Sequence, residues 1–255
     1  MLQKVNRFMR RLFRNYVYTV QHGLASGLKR CGGLGFLPKS DLTKEEQFLM
    51  ALDLKGQTVY DVGAWEGIFT IFFARAVGDT GSVVAFEPNP DNYSCVLENV
   101  SLNHFKNVSV RMIALGREPG RGMLVFSPQS LGTGSLNTDI KRDLLLEEAK
   151  TVQVDVDMLD HQIIELASPR PNFVKIDVEG FEFDVLSGMN DTVDQCKPKL
   201  YIEMHGANME KKIENAQNVV GFLMQKGYTI RLIENDEIIT GANADHAKMG
   251  HLYCE

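Results

Sequence analysis

The stretch Thr58-Val59-Tyr60-Asp61-Val62-Gly63-Ala64-Trp65-Glu66-Gly67 decides the fold. Residues 58–62 are a short β-branched and apolar run that reads as strand, Gly63 and Gly67 punctuate a loop, and residues 67–77 read as helix. A strand that ends in a glycine loop and opens a helix is where doubly wound folds bind a nucleotide-like ligand. Glycine at 63 lets backbone and ligand approach closely, and Gly67 starts the helix with N–H groups able to meet an anion. The Gly-x-x-x-Gly spacing departs from the Gly-x-Gly-x-x-Gly of dinucleotide sites. No Gly-Lys-Ser/Thr follows, which excludes a phosphate-cradling P-loop.

Outward from this stretch, strands and helices alternate. Upstream, Thr43-Lys44-Glu45-Glu46 has capping-box spacing and predicts a helix to about residue 52. Downstream come a strand at 82–87, a helix from the Asn89-Pro90 start to about 103, and a strand at 108–115. Residues 117–160 read as an insertion with a hairpin strand at 123–126, a charged helix at 140–150 and an alternating strand at 152–156. Strand 173–178, helix 181–189 and strand 200–204 resume the pattern. A helix capped by Asn208 and stopped by Gly227 follows, then strands at 228–233 and 251–254. The expectation is one doubly wound, Rossmann-like α/β domain over 40–255, with a mostly parallel sheet and an antiparallel last strand.

Composition agrees with a globular protein: 44% hydrophobic and 24% charged, with no apolar run near the roughly 18 residues that a spanning helix needs. Cys31, Cys95, Cys196 and Cys254 form no Cys-x-x-Cys pair, so neither a zinc ribbon nor a disulfide framework is expected, and reduced thiols in the cytoplasm are the default. Residues 1–40 hold eight Lys or Arg and no acid, whereas the rest carries 19 basic against 33 acidic residues. So acidic a body argues against a nucleic-acid partner. Within the basic arm, 1–39, Val5, Phe8, Met9, Leu12, Phe13, Tyr16, Val17 and Val20 recur at intervals of three and four, which predicts an amphipathic helix. Its stripe suits packing on the domain, or peripheral membrane contact through residues 4–20.

The second strand ends in Phe86-Glu87-Pro88-Asn89, placing an acid where folds of this class bind ribose hydroxyls. Four motifs then stand in order: Asp61-Val62-Gly63-Ala64-Trp65-Glu66-Gly67, Val84-Ala85-Phe86-Glu87-Pro88-Asn89-Pro90, Lys175-Ile176-Asp177-Val178-Glu179-Gly180 and Tyr201-Ile202-Glu203-Met204-His205. In these the chain resembles the FkbM-type S-adenosylmethionine-dependent methyltransferases, of class I. The resemblance implies that Asp61, Gly63 and the backbone of Ala64, Trp65, Glu66 and Gly67 hold the methionine part of S-adenosylmethionine, with Asp177 beside it. By the same resemblance Glu87 holds the ribose, while Pro88, Asn89 and the stretch near Ala114 flank the adenine.

Alternation puts Lys175, Asp177 and Glu179 on one face of their strand, and Glu203 and His205 on one face of the next. Charges on covered central strands cost stability unless paired or functional. They are read as acid–base machinery, with His205 as base and Glu203 or Asp177 orienting it. Asp177, Glu179, Glu203 and His205 are also metal-ligand types, but no metal is expected. The strand end Asp177-Val178-Glu179-Gly180 lacks the Asp/Asn-Pro-Pro-aromatic motif of exocyclic-amine methyltransferases, so the expected reaction is O-methylation of a small-molecule, sugar or glycolipid hydroxyl. Thr133, Gly134 and Ser135 could form a backbone nest for a substrate anion. His22, His104, His161, His246 and His251 have no partner in the local sequence and read as surface or core. Alternatives are a nicotinamide-dependent oxidoreductase and a non-catalytic module that binds a membrane or partner through its arm.

Overall fold

A computed structural model describes residues 15–32, 41–126, 134–136, 150–165 and 167–255. The described chain opens with an antiparallel hairpin of β1 (Val17–Thr19) and β2 (Lys29–Cys31). Helix α1 (Lys44–Met50) starts from a complete capping box, in which Thr43 and Glu46 satisfy each other's backbone N–H groups. Then β3 (Thr58–Val62), α2 (Ile68–Val77), β4 (Ser82–Phe86), α3 (Pro90–Leu102) and β5 (Val108–Arg111) complete the expected β-α-β-α-β run. Asn89 caps α3 by accepting from the Asp91 N–H, with proline at the first helical position.

The insertion forms a sheet of its own from β6 (Ala114–Leu115), β7 (Gly120–Phe126), β8 (Gly134–Ser135) and β9 (Lys150–Asp157), in the order β6-β9-β7-β8. After α4 (Leu159–Glu165) the main sheet resumes with β10 (Phe173–Ile176), α5 (Glu182–Ser187), α6 (Asn190–Cys196), β11 (Lys199–Met204) and α7 (Met209–Gln225). Strands β12 (Ile230–Leu232) and β13 (Glu237–Ile239), a 3-10 turn at Ala244–Lys248 and β14 (Gly250–Cys254) end the chain.

The main sheet runs β5-β4-β3-β10-β11-β14-β12-β13. Its first five strands are parallel, and the pairings of β14, β12 and β13 are antiparallel. One face packs Val62, Ile176 and Ile202 against Leu186 of α5, Val193 of α6 and Val219 and Leu223 of α7. The other packs Val59, Phe173 and Tyr201 against Leu49 of α1 and Phe72 and Phe73 of α2. This is the doubly wound Rossmann-like fold. Among the described residues no helix is long and apolar enough to cross a membrane.

The structure corrects several expectations. Val17–Thr19, at the end of the predicted amphipathic helix, is a strand; the helix's earlier residues lie outside the described ones. Tyr18 and Val20 are buried while Val17 and Thr19 are exposed, a period of two that the spacing of three and four conceals. The hairpin packs Tyr18, Val20, Ala25 and Leu28 against Ile71 of α2 and Val96 of α3, so the folded body begins well before residue 40. The strand predicted at 108–115 is two strands in different sheets, because the chain turns away at Met112 and Ile113 to pair Ala114 with Val156. Residues 137–149 lie outside the described residues, and Lys150 opens β9 instead of ending a helix.

Candidate active site

The motif residues meet at the C-terminal ends of β3, β4, β10 and β11. Gly63 and Ala64 donate their N–H groups to the Phe86 carbonyl at 3.0 and 3.1 Å, and the Asp177 N–H donates to the Val62 carbonyl at 3.0 Å, so three strand ends are tied together. Gly63 has φ +81, and a Cβ there would lie 1.8 Å from the Asp177 carbonyl oxygen. What comes close to Gly63 is therefore the next strand end, where a ligand was expected. Trp65 sits at φ 50, and its N–H donates to Glu87 Oε2 at 2.8 Å. Gly67 is the N-cap of α2 at φ 80, and no side chain caps that helix start.

Glu87 is 5% exposed. Its Oε1 accepts from the Asn89 N–H at 2.9 Å and from Asn92 at 3.3 Å. Burial pushes its carboxyl up to about 7, against the pull of those bonds and of Trp65. Pro88 is half-buried, Asn89 is buried, and Ala114 is buried in β6 of the insertion sheet. Asp61 is 0% exposed and spent inside the fold: Thr70 Oγ1 donates to it at 2.6 Å and Lys175 Nζ lies 3.7 Å away. Lys175, 1% exposed, lies 3.1 Å from Asp177 Oδ2 and 4.6 Å from the centre of the Phe69 ring. Burial works to lower the ammonium, but Asp177 and Asp61 prevail and raise it. Lys175 thus forms one buried network with Asp177 and Asp61.

His205 lies among carboxylates. Its Nδ1 is 3.1 Å from Glu182 Oε1, and its Nε2 is 3.3 Å from Glu203 Oε1 and 3.8 Å from Glu179 Oε2. Burial alone would lower the imidazole, yet the bonds to Glu182 and Glu203 raise it to about 11. A neutral imidazole ready to take a proton, the expectation for His205, is not what this arrangement stabilises. Glu179, at φ 53, is the carboxyl beside His205 that comes near neutrality, as Glu87 does beyond it: burial raises it to about 7, with His205 pulling down and Asp177 pushing up. Ligand atoms of Asp177, Glu203 and His205 lie within 4.8 Å of one another.

Two residues of the site escaped sequence reading. Glu182, 0% exposed, receives the Gly180 N–H at 2.9 Å and Asn215 Nδ2 at 2.7 Å besides holding His205. Its place in a Gly-x-Glu step after the strand was the available signal. Buried Arg30 of the hairpin pairs with Glu66 and stands over the Trp65 ring at 5.9 Å; nothing local in sequence pointed to it. Gly134 and Ser135 form β8, paired with Phe126 and Val125, so extended pairing replaces the expected nest. Thr133 lies outside the described residues. His161, His246 and His251 do have acidic partners, namely Asp157, Glu237 and Glu234.

Residues 61–230 match the family described as the methyltransferase FkbM domain. Among curated proteins the chain is 33% identical over 146 residues to Methyltransferase 1 of Beauveria bassiana, covering 52% of this chain and 58% of that protein. It is 30% identical over 128 residues to the hexuronic acid methyltransferase AglP of Haloferax volcanii, covering 49% and 47%. The chain thus matches about half the length of these relatives. Among solved structures, the methyltransferase FkbM of Methylobacillus flagellatus superposes with a TM-score of 0.51 at 20% identity, over 81% of this chain and 45% of that one, a likeness of fold. The oxidoreductase alternative is set aside: the chain belongs to the FkbM methyltransferase family.

Proposed function

We propose that the chain methylates a hydroxyl of a sugar or other small molecule, with Glu179 as the base. When bound, S-adenosylmethionine supplies an electrophilic methyl group on a sulfonium sulfur. The residues suit that cofactor. Glu87 offers a buried carboxylate to the ribose diol, the uncapped start of α2 offers N–H groups to the methionine carboxylate, and Pro88 and Asn89 flank the adenine side. Asp61 contributes by holding Thr70 and Lys175 beneath the loop.

What carries the reading is the place of Glu179, just past the strand end tied to the glycine loop and beside His205, where burial raises its carboxyl to about 7. An alcohol gives up its proton as its oxygen is methylated, and a base near neutrality is the effective one at neutral pH. Both nitrogens of His205 face carboxylates, so its part is to hold Glu179 and Glu203 in position. The relative named for hexuronic acid supports a sugar acceptor. The strand end Asp177-Val178-Glu179-Gly180 supports oxygen over an exocyclic amine.

The test is transfer of tritiated methyl from S-adenosylmethionine to glucuronic acid glycosides and neutral sugar glycosides. Glu179→Gln should lower kcat about 10²- to 10⁴-fold and remove the acidic limb near pH 7. Cofactor affinity, read from the emission of the single tryptophan, Trp65, should not change. Unchanged kcat overturns the base assignment, and a product that mild base hydrolyses as a methyl ester overturns the hydroxyl acceptor.

A further inference from the structure

On the far side of Glu203 from His205, four side chains converge from four parts of the chain: Glu45 in α1, Glu203 in β11, Glu234 after β12 and His251 in β14. His251 Nε2 lies 3.7 Å from Glu45 Oε1 and 3.7 Å from Glu203 Oε2, beyond hydrogen-bond reach of either. His251 Nδ1 is 2.6 Å from Glu234 Oε1; against the pull of burial, the surrounding carboxylates raise the imidazole to about 9, so an ion would take Nε2 in place of the proton held there, with Nδ1 still donating to Glu234.

Two further atoms point to something missing between them. Glu45 Oε1 is buried, and the hydroxyl of Tyr201, which is 0% exposed, is turned toward Glu45; neither atom closes a hydrogen bond of ordinary geometry. The Tyr201 ring stacks on His251 at 5.5 Å and on Phe48 of α1 at 6.1 Å, and its alternation puts it on the face of Glu203. Buried polar atoms left unpaired are few in folded proteins, and a bound ion is one of the things that satisfies them.

The spacing selects between these. The three ligand atoms lie within 4.8 Å of one another. Two sides of 3.7 Å place the point equidistant from all three about 2.0–2.4 Å from each, the bond length of Zn2+ or Mn2+ to imidazole nitrogen and carboxylate oxygen. A carboxylate on the far ring nitrogen, here Glu234, is the usual partner of a metal-binding histidine. Three carboxylates around one imidazole also favour a cation. Ca2+ fits less well, since it takes six to eight oxygens at longer range.

We infer that Glu45, Glu203 and His251 form a binding site for a divalent cation of the Mn2+ or Zn2+ class, with Glu234 orienting the imidazole. The ion would pin α1 to β11 and β14. It would also fix Glu203, whose other oxygen faces His205. The inference stands independently of the methyl-transfer reading.

The full chain, stripped with EDTA and dialysed, is titrated with MnCl2 and ZnCl2 by calorimetry and followed by thermal unfolding. One ion per chain is expected to bind, raising Tm by about 5–10 °C at hundredfold excess over Kd. Glu45→Gln should weaken that binding at least about tenfold while S-adenosylmethionine still binds, and Glu234→Gln should weaken it less. Asp177→Asn should leave metal affinity unchanged, separating this site from the triad of Asp177, Glu203 and His205. No binding below millimolar Kd, or affinity insensitive to Glu45→Gln, means that the gap holds water only and overturns the site. So does loss of affinity in Asp177→Asn.

Discussion

Burial among the strand ends raises the Glu87 carboxyl to about 7, outweighing the N–H donors of Asn89 and Trp65 that pull it down. Two pH effects of opposite sign follow. Without ligand, the fold keeps its proton up to about 7 while the unfolded chain releases it in the ordinary carboxylate range. Glu87's contribution to stability therefore declines as pH rises between those values. Cofactor binding runs the other way, because a ribose diol donates two hydrogen bonds that only the ionised carboxylate fully accepts. Affinity for S-adenosylmethionine is expected to tighten about tenfold from pH 6 to pH 8, in step with the ionised fraction. Glu87→Gln should bind about 1–3 kcal/mol more weakly and with a flat pH profile. Calorimetry at both pH values checks this, and equal profiles in the two proteins would remove Glu87 from the ribose site.

Between elements, the decisive contact is where β3 and β10 end side by side. Gly63 lies against the Asp177 carbonyl, and any side chain there must push the two strand ends apart. Gly63→Ala combines a left-handed backbone with a clash against backbone, at a cost on the order of 3–5 kcal/mol. Gly27, also at positive φ but with open space around it, is the control: Gly27→Ala should cost about 1–2 kcal/mol. Urea unfolding should show the difference as a large midpoint drop for the first and a small one for the second, with m unchanged. The same level explains what was readable beforehand. The strand at Thr58–Val62 and the caps at Thr43, Asn89 and Asn208 were evident because their causes are local: a β-branched run, or a side chain within three residues of the N–H it serves. Of the site, the motif residues were found from strand ends and alternation. His251 and Arg30 were not, since their partners come from distant elements that no spacing rule connects. The β1–β2 hairpin was misread for the same reason: Val20 fits both periods, Tyr18 lay off the expected stripe, and pairing with β2 chose the period of two.

At the scale of the molecule, the hairpin is continuous with the body and not an arm attached to it. Its apolar residues share a cluster with α2, α3 and β4. Arg75 of α2 donates to the Leu24 and Ser26 carbonyls at 2.6 Å each. Asn99 and Asn103 of α3 accept the Cys31 and Lys29 N–H groups at 2.7 and 2.8 Å, and Asn99 also donates to the Glu66 carbonyl at 2.8 Å. The hairpin thus reaches the glycine loop after β3 twice, through Asn99 to the Glu66 backbone and through Arg30 to the Glu66 side chain and the Trp65 ring. Deleting residues 1–39 exposes the apolar cluster, at about 1.5–3 kcal/mol for each large side chain stripped of its cover, and leaves Oδ1 of buried Asn99 without its donor, the Cys31 N–H. A chain starting at Ser40 should therefore unfold at least about 10 °C lower by scanning calorimetry. Its Trp65 emission should shift to the red as Arg30 is lost, and it should bind S-adenosylmethionine more weakly even at temperatures where it is folded. An arm that merely adjoins the domain would leave all three unchanged. The point substitution Arg30→Ala separates the two contributions: it keeps the apolar packing of the hairpin, so Tm should fall only part of the way while the loss of cofactor affinity approaches that of the deletion.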